Sequence, residues 1–353
     1  MKSENKFKPI AFLIHAAEMC NHYKSVWRLL GRDEFDTVLH GTVSEIAESR
    51  ALIESMGYTC YESKTILNHG YKYDIVVSNH SMFDYGDKPL IHAIGNRQVR
   101  FMYALGKEKH NFSDWNKHYD LVLCFGPWQA DRMNDFCSVA TFQMGYPRYD
   151  DYFCELDCQN IYPVELGLDP DKKTILWLPT WLELSSLALY SDVMSALCEK
   201  YNVIVKTHPL SATSEPDVLE RLKQYHFTTV ITDVYDNIKL FRCADFVVCD
   251  YGGTPFGAIY LDKNLLLLDI QDAEKNELTG EGSPDVKLRN DIVHLDYSSR
   301  FRLPEILLDE TIWNNQKKVR RQLRQKYFTA SYGFSAEMAI VALKNIEHLI
   351  KQR

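Results

Sequence analysis

Short stretches rich in cations, imidazoles, hydroxyls and glycine turns stand where apolar, strand-like runs end. His15 follows Pro9–Ile14, Asn79-His80 follows Ile75–Ser78, Gly106-Lys107 follows Val99–Leu105, and Gly145-Tyr146-Pro147-Arg148 follows Val139–Met144. Further on, Pro179-Thr180-Trp181 follows Thr174–Leu178, Lys206-Thr207-His208-Pro209 closes Val203–Lys206, and Asp250-Tyr251-Gly252-Gly253-Thr254 follows Phe246–Cys249. Carboxylates are few among them, and such a set suits a pyrophosphate better than a metal. Gly252 and Gly253 let the backbone turn sharply and approach a ligand closely. With Thr254 as N-cap and Pro255 as first helical residue, a helix would offer its N–H groups and dipole to a phosphate. His15 is placed to act as a general base, and it is equally placed to be a packed side chain. Lys206 reads either as a phosphate contact or as a solvated strand end. His208 reads as a ligand or a capped histidine, Arg148 as a ligand or a turn residue, and Trp181 as a platform or core.

Other chemistries are weakly represented. Asp169-Pro170-Asp171 has the form of a metal-binding Asp pair but sits in turn-like sequence, so no metal is expected there. No Gly-x-Ser-x-Gly elbow, P-loop or GxGxxG is present, which argues against a hydrolase elbow, a P-loop NTPase and a dinucleotide enzyme. The net charge of −8 argues against a nucleic-acid partner. No apolar run approaches the roughly 20 residues needed to cross a bilayer, and the N-terminal apolar piece reads as a first strand rather than a signal peptide. The nine cysteines show neither CxxC nor zinc spacing, and Cys124, Cys243 and Cys249 lie in or beside apolar strands. This usage fits a reduced, cytoplasmic protein with buried thiols and no expected cofactor.

The elements that must position these residues alternate strand and helix. Strands are expected at 9–14, 35–39, 58–61, 75–78, 99–105, 121–125 and 139–144, with helices at 21–30, 127–136 and 44–56, the last capped by Ser44 and stopped by Gly57. Residues 150–171, rich in Asp, Tyr and Pro, read as a linker. The pattern restarts with strands at 174–178, 203–206, 229–231, 246–249 and 265–268. Helices are expected at 190–201, 216–225, 234–243 and from 254. Residues 270–303 read as a loop region, and 304–353 as two or three helices without a further strand. Alternation of this kind implies parallel sheets covered on both faces. The expected organisation is an N-terminal acceptor domain (1–155), a C-terminal donor domain (170–335) and a final helix (336–353) returning to the first, with ligand in a cleft between the two halves.

Gly145-Tyr146-Pro147-Arg148-Tyr149-Asp150, Leu178-Pro179-Thr180-Trp181, Lys206-Thr207-His208-Pro209 and Asp250-Tyr251-Gly252-Gly253-Thr254 occur in an order and spacing that resembles the CDP-glycerol glycerophosphotransferase family. That family builds teichoic-acid and related capsule polymers. The resemblance runs over about residues 95–270. It implies a GT-B fold, two Rossmann-like parallel-sheet domains, and transfer of a polyol phosphate from a CDP-activated donor with release of CMP. It places His208 and the Gly252-Gly253-Thr254 turn on donor phosphates and Arg148 in the same cleft. Thr180, Lys206 and Asp250 complete the expected nucleotide-binding set.

Two departures from the family pattern stand out. A His-Gly pair, whose histidine is the presumed base, is Leu105-Gly106 here, and paired serines are Gly252-Gly253. The catalytic candidates left are His15, at a strand end, and His110, near the departed position. Two alternatives stay open: a GT-B glycosyltransferase using a nucleotide sugar, and a nucleotide-binding homologue that has lost its base. The acceptor implied is a lipid-linked or polysaccharide hydroxyl. Lys317–Lys326 holds six basic residues and no acidic one. Lys317, Arg320, Arg321 and Arg324 share a helix face by spacing, a pattern that fits an anionic membrane surface on the inner leaflet or a solvated helix paired with acidic groups.

Overall fold

The computed structural model describes residues 7–80, 88–153 and 164–351. The chain divides into two compact units. One comprises Met1–Tyr103, Phe112–Phe153 and Tyr327–Arg353; the other comprises Ala104–Asn111 and Cys154–Lys326. Much of the expected linker falls on residues 154–163, outside the described residues.

The first unit carries seven strands: β1 (Ile10–Ile14), β2 (Phe35–Leu39), β3 (Cys60–Glu62), β4 (Tyr73–Ser78), β5 (Gly95–Phe101), β6 (Leu121–Cys124) and β7 (Ala140–Gln143). They form one sheet in the order β3-β2-β1-β4-β5-β6-β7, every pair parallel. β1 is buried along its length, as its unbroken apolar run requires of a central strand covered on both faces. An aromatic cluster packs under it: Trp27 of the helix Cys20–Leu30 stacks on Tyr23 and Phe35, each at 5.7 Å. The helix Ser335–Lys344 also belongs here. The Asp150 carboxylate accepts from Ser335 N (3.1 Å) and Ala336 N (2.7 Å), supplying two of its first N–H groups with an acceptor.

The second unit carries β8 (Thr174–Leu178), β9 (Asn202–Lys206), β10 (Thr229–Ile231), β11 (Phe246–Cys249), β12 (Asn264–Leu268) and β13 (His294–Leu295) in the order β10-β9-β8-β11-β12-β13, again all parallel. Both sheets step outward from a first strand and then restart on its other side. This is the doubly wound arrangement, in which ligands bind beyond the carboxyl ends of the two strands where the order reverses. Those strands are β1 and β4 in one unit and β8 and β11 in the other.

Several sequence expectations need correction. Thr42, not Ser44, caps the helix Val43–Ser55, because Glu45 sits three residues on and completes a capping box. Gly253 is the N-cap of the helix Thr254–Tyr260, which puts Thr254 inside the helix. The strand expected at 99–105 is β5 and ends at Phe101, so Leu105 lies in the bend that follows. The region 270–303 holds β13 and short helical turns. The chain end forms four helices, Leu303–Leu308, Glu310–Tyr327, Ser335–Lys344 and Ile346–Lys351. Sequence reading also missed the helices Ser63–His69 and Leu90–Ile94.

Candidate active site

In the second unit the reversal between β8 and β11 sets Thr180-Trp181 beside the glycine turn. Asp250 joins them. Its carboxylate is fully buried and accepts from Thr180 N (2.8 Å), Tyr251 N (2.8 Å), Ser186 N (2.8 Å) and Ser186 Oγ (2.9 Å). Burial pushes its pKa up to about 6 against the pull of the hydrogen bonds from Ser186 and Thr180. Asp250 therefore anchors two strand ends from beneath and presents no atom to a ligand.

Gly252 has φ +94°, a conformation that favours glycine. Its N–H donates to Asp285 Oδ2 at 2.8 Å, and the other Asp285 oxygen accepts from Lys107 N (3.4 Å) and from Ser283 Oγ. The segment Ala104–Asn111 thus lies against the turn, closely enough that a Cβ on Gly106 would stand 2.5 Å from Gly252 O. Arg289 ties the turn from another side. It donates to Asp250 O (3.0 Å), Leu268 O (2.9 Å) and Asp269 Oδ1 (2.7 Å), with its guanidinium 3.7 Å from the centre of the Tyr251 ring.

What this scaffold presents is a small group of donors. Gly253 and Thr254 are half-buried, and the Thr254 side chain is hydrogen-bonded to Cys249. His208 stacks on Trp181 at 5.6 Å and 17°. His208 Nδ1 accepts from Leu210 N at 3.2 Å, which leaves the ring proton on Nε2 as a donor. Lys107 Nζ lies 5.5 Å from the Trp181 ring centre. Lys206 is 5% exposed and its ammonium donates to Thr207 O at 2.6 Å, so it faces its own backbone. His110 lies half-buried on the short helix Glu108–Asn111 of the same unit.

In the first unit, His15 and His80 follow β1 and β4 at the equivalent reversal, their ring centres 6.4 Å apart. His15 Nδ1 is buried without a hydrogen-bond partner, and burial, then the neighbouring His80, lower its pKa to about 4. This imidazole is neutral at ordinary pH, the form a base needs. Arg148 Nη1 donates to His22 Nε2 at 2.8 Å; burial, then Arg148 itself, hold His22 well below the usual histidine range. His22 is therefore a neutral acceptor that aims Arg148.

Thr180, Asp250, Gly252, Gly253, Thr254 and His208 thus assemble within one unit, together with Lys206 and His110, while His15 and Arg148 belong to the other. Sequence reading missed Asp285, Arg289 and His22 as positioning residues. Asp285 and Arg289 lay in what read as a loop, and His22 in the first turn of an expected helix. Asp169 and Asp171 form a turn closed by Asp171 N on Asp169 Oδ1 at 3.0 Å. Among the described residues no group of His, Cys, Asp and Glu side chains is arranged to hold a metal ion.

A sequence profile of the CDP-glycerol:poly(glycerophosphate) glycerophosphotransferase family matches residues 82–274. The chain belongs to this family. A teichoic acid poly(glycerol phosphate) polymerase of Bacillus spizizenii is 25% identical over 172 residues, covering 45% of this chain. The match spans 43% of that relative's length, less than half of it. Among solved structures, a variant of the wall teichoic acid polymerase TagF superposes with TM-score 0.65 at 14% identity, over 98% of this chain and 91% of that one. The S. aureus MnaA–UDP co-structure gives TM-score 0.66 at 13% identity, over 98% of each chain. A putative UDP-N-acetylglucosamine 2-epimerase from Listeria monocytogenes gives 0.61 at 14%, over 97% of each. These likenesses establish the fold: two parallel-sheet α/β domains of the GT-B class.

Proposed function

We propose that the protein transfers a glycerol-phosphate, or another polyol-phosphate unit, from a CDP-activated donor to an acceptor hydroxyl in the synthesis of a cell-surface polymer. The observation that carries this reading is the donor group at the β8/β11 reversal, in a chain of the glycerophosphotransferase family: Thr180, His208 Nε2–H and the half-buried Gly253-Thr254 turn, supported by Asp250. The acceptor oxygen attacks the polyol-bearing phosphorus, and its bond forms as the bridging P–O bond to CMP breaks. CMP leaves with the bonding pair, and the acceptor proton passes to a histidine. Hydrogen-bond donors and cations fixed around the phosphates stabilise the leaving charge.

His15 is the first candidate for the base and His110 the second, since a side chain at a strand end is held more rigidly than one on a short helix. Arg148, aimed by His22, is assigned to the same substrate. Leu105 is fully buried and cannot take a proton, and this favours one alternative, a nucleotide-binding homologue without turnover. A lipid-linked or polysaccharide acceptor would bring the protein to the cytoplasmic membrane face. Lys317, Lys318, Arg321 and Lys326 are exposed and would be the groups that meet an anionic surface there.

Incubation with CDP-glycerol, CDP-ribitol and UDP-sugars, with detection of released CMP or UDP, tests the reading. Release of CMP in an acceptor-dependent manner is expected. Release of UDP alone would assign a glycosyltransferase, and stabilisation by CDP-glycerol without release would assign the degenerate homologue. His208→Ala is expected to cost about 2–4 kcal/mol of transition-state stabilisation, read from kcat/KM.

A further inference from the structure

Lys107 stands two residues beyond Leu105, the fully buried residue where the family resemblance places histidine. Its φ of +58° is a conformation that side-chain-bearing residues rarely adopt. The surrounding structure enforces it. Lys107 N and Gly252 N share the two oxygens of Asp285, a fully buried carboxylate, and Asn111 Nδ2 closes the turn on Gly106 O at 2.6 Å. Strained backbone of this kind gathers at functional sites, where the geometry is worth its cost.

The strain aims one side chain. A Cβ built on Gly252 would meet Lys107 Cε at 3.8 Å and Thr180 Oγ1 at 3.8 Å. Gly252 has no side chain, and both the Lys107 stem and the Thr180 hydroxyl stand at van der Waals distance from where its Cβ would be. Lys107 also reaches the Trp181–His208 stack, its Nζ 5.5 Å from the centre of the Trp181 ring. Lys206, the lysine that sequence reading favours, is turned onto Thr207 O.

We propose that Lys107 is a catalytic residue that contacts the donor's phosphates above Gly252 together with Thr180, and that Asp285 is the positioning residue that holds it there. The inference deepens the reading of the protein as a CDP-dependent transferase. When the bridging P–O bond breaks and CMP departs with the electron pair, the Lys107 ammonium offsets the charge that appears on the leaving phosphate. No proton is transferred to or from Lys107.

The test is calorimetric titration of the full chain with cytidine, CMP, CDP and UDP, beside turnover of CDP-glycerol. Lys107→Met is expected to weaken CDP by about 10- to 100-fold while leaving cytidine unchanged, and Lys107→Arg to restore most of the loss. Lys107→Gly, which suits the left-handed backbone, is expected to unfold no earlier than Lys107→Met and to lose the same CDP affinity. Asp285→Ala is expected to weaken CDP in the wild-type background and to add little in Lys107→Met, a coupling that general destabilisation would not produce. CDP affinity unchanged in Lys107→Met and Lys107→Gly, or cytidine and CDP lost in equal measure, overturns the inference. A wild-type chain that prefers UDP and loses it in Lys107→Met overturns the CDP donor while retaining the phosphate contact. A wild-type chain that binds no nucleotide overturns both.

Discussion

Two histidines of the first unit, His15 and His22, are held neutral by desolvation. His22 is buried and His15 half-buried with its Nδ1 shielded from water, and desolvation is the leading cause of the depressed pKa of each. If His15 is the base, its folded pKa of about 4 places the acid limb of kcat/KM near pH 4, because kcat/KM reports groups of the free enzyme. A limb near the ordinary histidine value of about 6.5 would exclude it. His15→Ala and His110→Ala, assayed at saturating donor, then separate the candidates, with the larger fall in kcat expected for His15→Ala. His15 was legible in the sequence because it directly follows an uninterrupted apolar strand. His22 was not, because its role comes from Arg148, 126 residues away. Gly106 makes a similar point. Its need for a hydrogen in place of a side chain is set by Gly252 O, which no local pattern reveals. Gly106→Ala is expected to destabilise the second unit by about 2–4 kcal/mol in urea unfolding, since the added carbon meets backbone and a buried carboxylate, neither of which can swing away.

Elements buried on both faces were read from the sequence almost to the residue. Phe35–Leu39, Thr174–Leu178 and Phe246–Cys249 are strands over the expected spans and buried at every residue, because largely apolar runs bounded by turn residues have few alternatives; the partly exposed edge strand Thr229–Ile231 also falls on its expected span. What failed was set by partners distant in sequence or by short length. β13 has two residues and, among the described residues, pairs with β12 alone, too brief for any period to register. The role of Asp150 was hidden for the same reason. It closes a motif that resembles a substrate-binding one, yet its carboxylate is spent on the helix Ser335–Lys344. Burial raises its pKa to about 7, above the value it has in an unfolded chain. The folded state then holds the proton more tightly. This contribution to stability is full below about pH 4 and fades as pH rises through about 7. Asp150→Asn removes the titration, so its stability relative to wild type should rise by about 2–4 kcal/mol between pH 4 and pH 8. A constant difference between the two proteins across that range would mean the carboxyl titrates normally.

The whole molecule repeats one plan, with each sheet reversing its order at its first strand and chemistry-bearing residues standing just beyond the reversal. This much was legible from strand–helix alternation and from what terminates each strand. Surface charge was legible only in part. The basic run of the helix Glu310–Tyr327 appeared to place Arg320 with Lys317, Arg321 and Arg324 on one outward face. The structure corrects this: Arg320 is 3% exposed and donates to Asp262 Oδ1 (2.9 Å), Asn264 Oδ1 (3.2 Å) and Gln316 Oε1 (2.9 Å). Three acceptors converge on it because the helix lies against the start of β12, where Gln316 also bonds Leu265 N and O. Lys317, Lys318, Arg321 and Lys326 remain exposed, with Arg324 half-buried. No helix among the described residues is long and apolar enough to cross a membrane. Each exposed cation is worth about 1 kcal/mol near an anionic surface at low salt and less as salt screens it. Replacing Lys317, Lys318 and Arg321 with Gln is expected to lower recovery on phosphatidylserine vesicles about tenfold or more, with no change in unfolding. Arg320→Gln is expected to do the opposite. It leaves Asp262 and Gln316 without their cation and costs about 1–3 kcal/mol of stability, while vesicle binding of the folded fraction is retained. Co-sedimentation at low and high salt, beside thermal unfolding of both variants, separates the two effects. Equal recovery of wild type on neutral and anionic vesicles would make this helix a structural element alone.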